Sequence, residues 1–429
     1  MGKALVWFRN DLRTLDNQCL STACNNHEEL TAVYFLDPRH FEITGFGFKK
    51  TGKYRAKFLL ESLLELKKNL QSLNISLLVF QAIPEDTIPQ LISDYGISHI
   101  YFQKEWTSEE IKVEKMARKK AENVKFHSFF QQFLFHPDDI PFRSFKDIPK
   151  VFTDFRKSLE KKAEVRDLIP MPQGKDRSNL LQEDLPIPEL TDLGFEDFKT
   201  DPRTAFPFKG GEEQAKRRLS DYIWKNQNLL SYKETRNGLI GEDYSSKLSP
   251  WLANGCISPR YIYHEVKRFE KEVKSNQSTY WLILELFWRD FFKYMSLKHG
   301  NDIFKIGRIL HKDLPWKKDK KILDDWINGN TPEAFINANM KEIAATGFMS
   351  NRGRQNVNSY WAKVLKQDWR IGAAYFESLL IDYDVHSNWG NWMYNSGVGN
   401  DPRDRKFNIR SQAERYDPDN DYQNLWLKH

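Results

Sequence analysis

The feature that most limits what this 429-residue chain can become is a change in its hydrophobic period part-way along. Up to about residue 130, short apolar runs alternate with amphipathic segments. Ala4-Leu-Val-Trp-Phe8, Leu30-Thr-Ala-Val-Tyr-Phe-Leu36, Ile75-Ser-Leu-Leu-Val-Phe80 and His99-Ile-Tyr-Phe102 read as buried strands, with a helix over 54–73 among the elements between them. That is the βαβ pattern of a parallel, doubly wound sheet. From Gly211 onward strands vanish and helical periods dominate, over 212–224, 259–273, 279–298, 332–345, 356–366 and 372–380. Between 131 and 205 the periodicity fades and prolines from Pro137 to Pro202 punctuate a polar stretch, which reads as a long connector. The expected fold class is therefore α/β plus all-α: a doubly wound parallel-sheet domain over 1–130, the connector over 131–205, and a helical domain over 206–429.

Several function classes drop out early. Cys19, Cys24 and Cys256 form no CxxC pattern and are too few to staple so long a chain, so a reducing compartment, the cytoplasm, is expected. The opening MGKALVWFRNDLR places charge straight after a short apolar run, unlike a signal peptide, and no run of about 18 uncharged apolar residues occurs. No membrane association is expected. A net charge of +6 tilts the surface only mildly toward polyanions. The 13 Trp, 17 Tyr and 30 Phe say more, since they exceed what an aliphatic core requires and suit the stacking of planar ligands. Gly45-Phe-Gly47 begins like a dinucleotide fingerprint, but Lys50 takes the third glycine's place, so no nicotinamide site is expected there.

The chemistry collects in the helical half. Ile381-Asp-Tyr-Asp-Val-His-Ser-Asn-Trp-Gly-Asn-Trp392 alternates Asp382, Asp384 and His386 much as an EF-hand loop begins. Ser387 then stands where that loop needs its glycine and Met393 where it needs a bidentate Glu, and a lone His beside two acids makes no zinc set, so no metal is expected. Tyr244-Ser-Ser-Lys-Leu-Ser-Pro-Trp-Leu-Ala253 puts three hydroxyls and a lysine at a loop-to-helix junction, a place that favours phosphate. Glu285 and Arg289 lie four apart in Trp281-Leu-Ile-Leu-Glu-Leu-Phe-Trp-Arg-Asp-Phe-Phe-Lys293; either they make a surface ion pair or, given their apolar neighbours, they line a cavity. Asn351, Arg352, Arg354, Gln355 and Asn356 follow a glycine-bearing turn, as a solvated helix start or as donors to phosphates and heterocycles.

Taken in order, these blocks resemble one family. VWFRNDLR with Asp16-Asn17, GGE at 210–212, SSKLSPWLANGCISPR, WLILELFWRDFF, ATGFMSNRGRQN and DYDVHSNWGNWMYNSGVGNDPRDRKFN are similar to the blocks of photolyase/cryptochrome flavoproteins, most of all the cryptochrome DASH group, almost end to end. The resemblance implies FAD held in a U-shape by the helical domain. It places Tyr232 and Ser245, Ser246, Lys247, Leu248 and Ser249 on the phosphates and ribityl chain, with Arg289 near the cofactor. Asn388 would face flavin N5, and Asp382 and Asp384 would border the ring and adenine, Arg354 pairing with Asp382. Trp392, Trp369 and Trp316 match three indoles that relay an electron from the surface to light-excited flavin. Glu105 matches the residue that binds the pterin of a folate antenna, 5,10-methenyltetrahydrofolate.

The activity implied is light-driven repair of cyclobutane pyrimidine dimers in DNA, with the dimer flipped into a pocket. Glu285 would hydrogen-bond a dimer base, Trp288 would pack on it, Asn351 would donate to it, and Arg236, Arg352 and Gln355 would line the DNA side. Asn351 and Gln355 stand where (6-4) enzymes carry histidines, which argues against that chemistry. Tyr394 replaces a second lesion-stacking Trp of duplex-repairing enzymes, which implies a looser pocket and a preference for single strands. The segment 329–337 lacks the usual Gly-aromatic-Pro and aspartate. The alternative function is a blue-light sensor that binds nucleic acid or a protein without repair; the retained pocket residues, and an end at Trp426-Leu-Lys-His429 without a long tail, favour repair. A monomer is expected.

Overall fold

The computed structural model describes residues 2–182, 185–307 and 309–428. Strands β1 (Lys3–Phe8), β2 (Leu30–Phe35), β3 (Leu77–Phe80) and β4 (Ile97–Gln103) fall on the four apolar runs. A fifth strand, β5 (Lys125–Phe129), carries only half-buried and exposed residues, so no apolar run announced it. All pairings are parallel in the order β3-β2-β1-β4-β5. Helices α1 (Gln18–Asn26), α2 (Lys53–Ser72), α3 (Pro84–Tyr95) and α4 (Ser108–Lys120) make the crossovers. Ala4, Leu5 and Val6 of β1 have no exposed surface, as a central strand covered by helices on both faces requires. The strand order reverses between β1 and its neighbours, so a crevice opens beyond the carboxyl ends of β1, β2 and β4.

The connector contains a helix that its polar composition hid, α5 (Phe152–Lys162). Phe152, Phe155 and Leu159 recur at helical spacing and are buried. They meet the helical half, Phe152 stacking on Trp288 at 3.6 Å between ring centres and Phe155 lying 5.4 Å from Phe291.

Thereafter come α6 (Glu212–Ser220), α7 (Tyr232–Thr235), α8 (Ser249–Ala253), α9 (Pro259–Glu272), α10 (Gln277–His299) and α11 (Lys320–Ile327). They are followed by α12 (Ala334–Thr346), α13 (Asn351–Ser359), α14 (Trp369–Leu379), α15 (Val385–Ser396), α16 (Ile409–Tyr416) and α17 (Asp421–Leu427). The helix expected over 356–366 starts earlier, because Ser350 caps it by accepting Gly353 N–H at 3.0 Å, and it ends in a π-turn over 360–364. The expectation of helix from 212 to 224 is likewise split by a π-turn over 221–225. α15 escaped the periodicity because polar residues and tryptophans share its buried face.

Three buried carboxylates join the sheet half and connector to the helices. Asp16 pairs with the Arg260 guanidinium at 2.6 Å; Glu212 accepts Thr14 N–H at 2.7 Å and Leu15 N–H at 3.1 Å; Asp290 accepts Leu134 and Phe135 N–H at 3.0 and 2.9 Å. Each answers backbone donors or a cation that burial would otherwise leave unpaired. Arg260→Met strands the Asp16 charge and is expected to destabilise the protein by about 3–5 kcal/mol in thermal unfolding, with part of the loss recovered by adding Asp16→Asn.

Glu342 on α12 is buried and accepts the Tyr422 hydroxyl of α17 at 2.6 Å. Burial pushes its carboxyl up to about 7. The folded state therefore holds this proton more tightly than the unfolded chain, and the stability it contributes is present below the ordinary carboxyl range and lost as pH rises toward 7. Glu342→Gln is expected to flatten the fall in melting temperature between pH 4.5 and 7, the group being worth on the order of 3 kcal/mol across that window.

Candidate functional site: two cavities with a shared wall

A cavity of about 580 Å³ opens where α7, α8, α10, α13 and α15 converge. It gathers Tyr232, Arg236, Ser245, Ser246, Lys247, Leu248, Ser249, Glu285, Trp288, Arg289, Asn351, Arg352, Arg354, Gln355, Asp382, Asp384, Asn388, Trp392 and Tyr394 on one surface.

One side of it is a loop, 244–248, that Arg218 ties down by donating to Ser245, Ser246 and Glu242 carbonyls at 3.0–3.1 Å. Sequence reasoning missed Arg218, which lies in an ordinary-looking basic helix end. Lys247 sits in this loop with φ +61°, buried, its ammonium 3.1 Å above the centre of the Tyr244 ring and without a hydrogen-bond acceptor among the described residues. Burial pushes the ammonium well below its usual range. An anion placed here would reverse that penalty, so the loop fits the pyrophosphate of a dinucleotide such as FAD.

The opposite side is built on the acids of the 381–392 stretch, each of which faces its own cation. Arg354 pairs with Asp382 at 3.0 Å, Lys293 with Asp384 at 2.7 Å, and His386 stacks on Trp106 at 4.4 Å. Asp384 also caps α15, accepting Ser387 N–H at 2.8 Å. Burial opposes ionisation of Asp384, but the Lys293 ammonium overrides it and holds the carboxyl far below the usual range. Asn388 is pinned by its amide N–H to the Ala373 carbonyl at 3.0 Å. No group of three metal-ligating side chains occurs among the described residues.

At the mouth, Glu285 and Arg289 do not pair with each other as their spacing allowed. Glu285 pairs with Arg236, while Arg289 turns inward and donates to the Gln132 and Leu252 carbonyls. The difference has a geometric cause: α7 and the end of β5's following segment offer partners that no local pattern reveals. Trp288 presents a face stacked on Phe152 and an edge against Tyr394, 5.6 Å away. Arg352 is steadied by Asn237 at 3.1 Å and by the Tyr416 ring. Asn351 is exposed at the first turn of α13.

Of the three tryptophans singled out in sequence, Trp392 lines the cavity, and Trp369 and Trp316 are not part of its lining. A Cβ on Gly372 would come within 2.2 Å of the Trp392 ring, so that indole lies directly on the α14 backbone, one turn from Trp369. The segments carrying Trp369 and Trp316 are paired, Lys317 N–H donating to Lys366 at 2.9 Å and Asp368 N–H to Lys317 at 2.8 Å. Trp316 is half-buried while the other two are buried. Trp326, which meets Trp392, and Trp361, which meets Trp326, are buried and were not anticipated.

Glu105 lies elsewhere, in a second cavity of about 490 Å³ in the crevice beyond the carboxyl ends of β1, β2 and β4. It accepts from Gln103 at 2.8 Å and Asn10 at 3.4 Å, and burial raises its carboxyl. Ala253, Arg289, Tyr383 and Asp384 line both cavities and so form the wall between them. Lys293 stands in that wall, and only its place at the end of the quoted α10 stretch hinted at it.

The geometry agrees with what the chain is similar to. The DNA photolyase family matches residues 4–174, and the FAD binding domain of DNA photolyase matches residues 281–429. Cryptochrome DASH of Xenopus laevis is 47% identical over 98% of this chain and 81% of its own length. The crystal structure of a Synechocystis cryptochrome superposes with a TM-score of 0.95 at 47% identity, over 99% of this chain and 88% of that one. An archaeal photolyase from Sulfolobus tokodaii, described with two FAD molecules and a novel light-harvesting cofactor, superposes with a TM-score of 0.81 at 25% identity, over 99% and 90%. The chain belongs to the photolyase/cryptochrome family, among the cryptochrome DASH proteins, and FAD is its cofactor.

Proposed function

We propose that the protein repairs cyclobutane pyrimidine dimers in DNA under blue or near-ultraviolet light, preferentially in single strands. The observation that carries this reading is that Glu285, Trp288, Asn351, Arg236, Arg352, Gln355 and Tyr394 line the mouth of the same cavity whose floor carries the residues for the flavin. Bound and reduced, FAD supplies an electron on excitation. The side chains supply the rest. Trp288, stiffened by Phe152, packs on one base of a flipped dimer, and the half-buried Glu285 hydrogen-bonds it where negative charge develops. Asn351 donates to the same lesion. Arg236, Arg352 and Gln355 hold the flanking backbone by its phosphates. Arg236 releases Glu285 as it turns to a phosphate, so the pair seen at the mouth exchanges one anionic partner for another.

Lys247 and the 245–249 loop hold the pyrophosphate and ribityl chain with Tyr232, while Arg354–Asp382, Arg289, Asp384 and Asn388 border the ring and adenine. Trp392, Trp369 and Trp316 form the relay that brings electrons in from the surface. A smaller Tyr394 ring in place of an indole leaves less stacking to offset the unpairing of a duplex, which favours single strands. The second cavity, with Glu105 as the acceptor for a pterin, suits 5,10-methenyltetrahydrofolate as a light-harvesting antenna. The protein acts as a monomer in the cytoplasm, its three buried free cysteines fitting a reducing compartment. No helix of the described residues is long and apolar enough to cross a membrane.

Reduced holoprotein mixed with oligothymidine dimers is expected to restore thymine absorbance under blue light and not in the dark, strongly on single strands and weakly on duplex. Glu285→Gln is expected to lower the yield per photon roughly a hundredfold, the loss of one preorganised contact to developing charge, without loss of bound flavin. Trp392→Phe is expected to abolish light-driven reduction of oxidised flavin while leaving repair by chemically reduced protein intact. Absence of recovery on either substrate, with flavin bound, overturns repair and leaves the light sensor.

A further inference from the structure

Trp389, Tyr383 and Glu377 take no part in the relay described above, yet they adjoin it. Trp389 lies on α15 three residues before Trp392 and meets Trp369 edge to face, with ring centres 5.8 Å apart. Its indole N–H donates to the Tyr383 hydroxyl at 3.3 Å. Glu377 of α14 lines the same cavity as that phenol, and each of the two groups shifts the titration of the other. The Arg55 guanidinium lies over the Tyr383 ring, 4.5 Å from its centre. All three residues line the second cavity, and Tyr383 lines the first as well.

We propose that Trp389 and Tyr383 form a branch of the electron relay that ends on Tyr383 with Glu377 as its proton acceptor. The inference rests on the reading of Trp392 and Trp369 as a relay. The step balances within the protein. Bound FAD would supply the one-electron oxidation when its oxidised ring is excited by light, and Trp392 and Trp369 would carry the resulting indole radical cation. That cation, on Trp369 and then Trp389, takes one electron from Tyr383; the phenolic proton passes to the Glu377 carboxylate; the products are a neutral indole, a neutral tyrosyl radical and a neutral carboxylic acid. Loss of the proton is required here, because a positively charged ring beneath the Arg55 guanidinium is disfavoured by like charge. Burial raises the Glu377 carboxyl, which makes it the stronger base for that proton.

The contrast within the molecule supports the assignment. Trp392 also touches Trp326, whose ring centre is 6.4 Å away, and Trp326 touches Tyr375 at 5.5 Å. The Tyr375 phenol is governed by burial and by another tyrosine, Tyr54, with no carboxylate beside it among the described residues.

The test is flash excitation of the full-length FAD-loaded protein, followed by transient absorption and by electron paramagnetic resonance on protein with ring-deuterated tyrosine. An indole radical is expected first, then a tyrosyl radical whose spectrum narrows on deuteration. Tyr383→Phe and Trp389→Phe are expected to remove the tyrosyl signal and keep the indole signal. Glu377→Gln is expected to slow its appearance on the order of a hundredfold. The same tyrosyl radical is expected in the dark when azide radicals oxidise the protein's indoles, with a yield that falls in Tyr383→Phe. An indole radical with no tyrosyl radical, or a tyrosyl radical that survives Tyr383→Phe, overturns the branch and leaves the relay standing. No protein radical of either kind overturns the relay and the branch together.

Discussion

Lys293 and Asp384 meet at 2.7 Å in the wall between the two cavities, and the arrangement on both sides depends on that contact. The ammonium keeps a buried carboxylate ionised where burial alone would protonate it. Ionised, Asp384 caps α15 and so sets the start of the helix that carries Asn388, Trp389, Trp392 and Tyr394. One ion pair thus sets the start of the helix whose Asn388, Trp392 and Tyr394 line the helical cavity. It also explains the position of Lys293, which gains no solvent and has no surface role.

The same economy appears at larger scale. Asp16, Glu212 and Asp290 are far apart in sequence, yet each spends its charge on donors from another part of the chain. Carboxylates used in this way join the sheet half to the helical half with directional contacts. The strand order, reversing at β1, independently opens the crevice that Glu105 lines. The crevice and the helical cavity are separated by little more than Ala253, Arg289, Tyr383 and Asp384. Tyr383 is therefore placed with its side chain on both cavities.

Local patterning determined a good deal. Four of the five strands, the alternation that makes the sheet parallel and the helical second half are all legible in the apolar periods, because burial on both faces or one face imprints directly on residue order. The polar clusters that line the helical cavity are legible too, since Ser245 to Ser249, Arg354, Asp382, Asp384 and Asn388 occur in dense groups that a core cannot absorb unpaired, although their roles toward a flavin come from the family resemblance and not from that pattern. β5 and α5 were not, because one is an exposed edge and the other is a charged segment whose three apolar residues matter only once α10 lies against them.

Which partners those clusters take was decided by tertiary structure alone. Glu285 and Arg289 sit at ion-pair spacing on one helix, yet Glu285 goes to Arg236 and Arg289 to two carbonyls, because α7 and the segment after β5 approach α10 from different sides. Lys293, Arg218 and Tyr383 carry no motif of their own; they acquire roles from carboxylates and carbonyls brought close by packing. Thirteen tryptophans give a count in sequence, and only the fold shows which of their rings meet edge to face. Sequence order records periodicity and composition, which burial selects residue by residue, whereas pairing energies depend on distance and screening that exist only after distant segments meet.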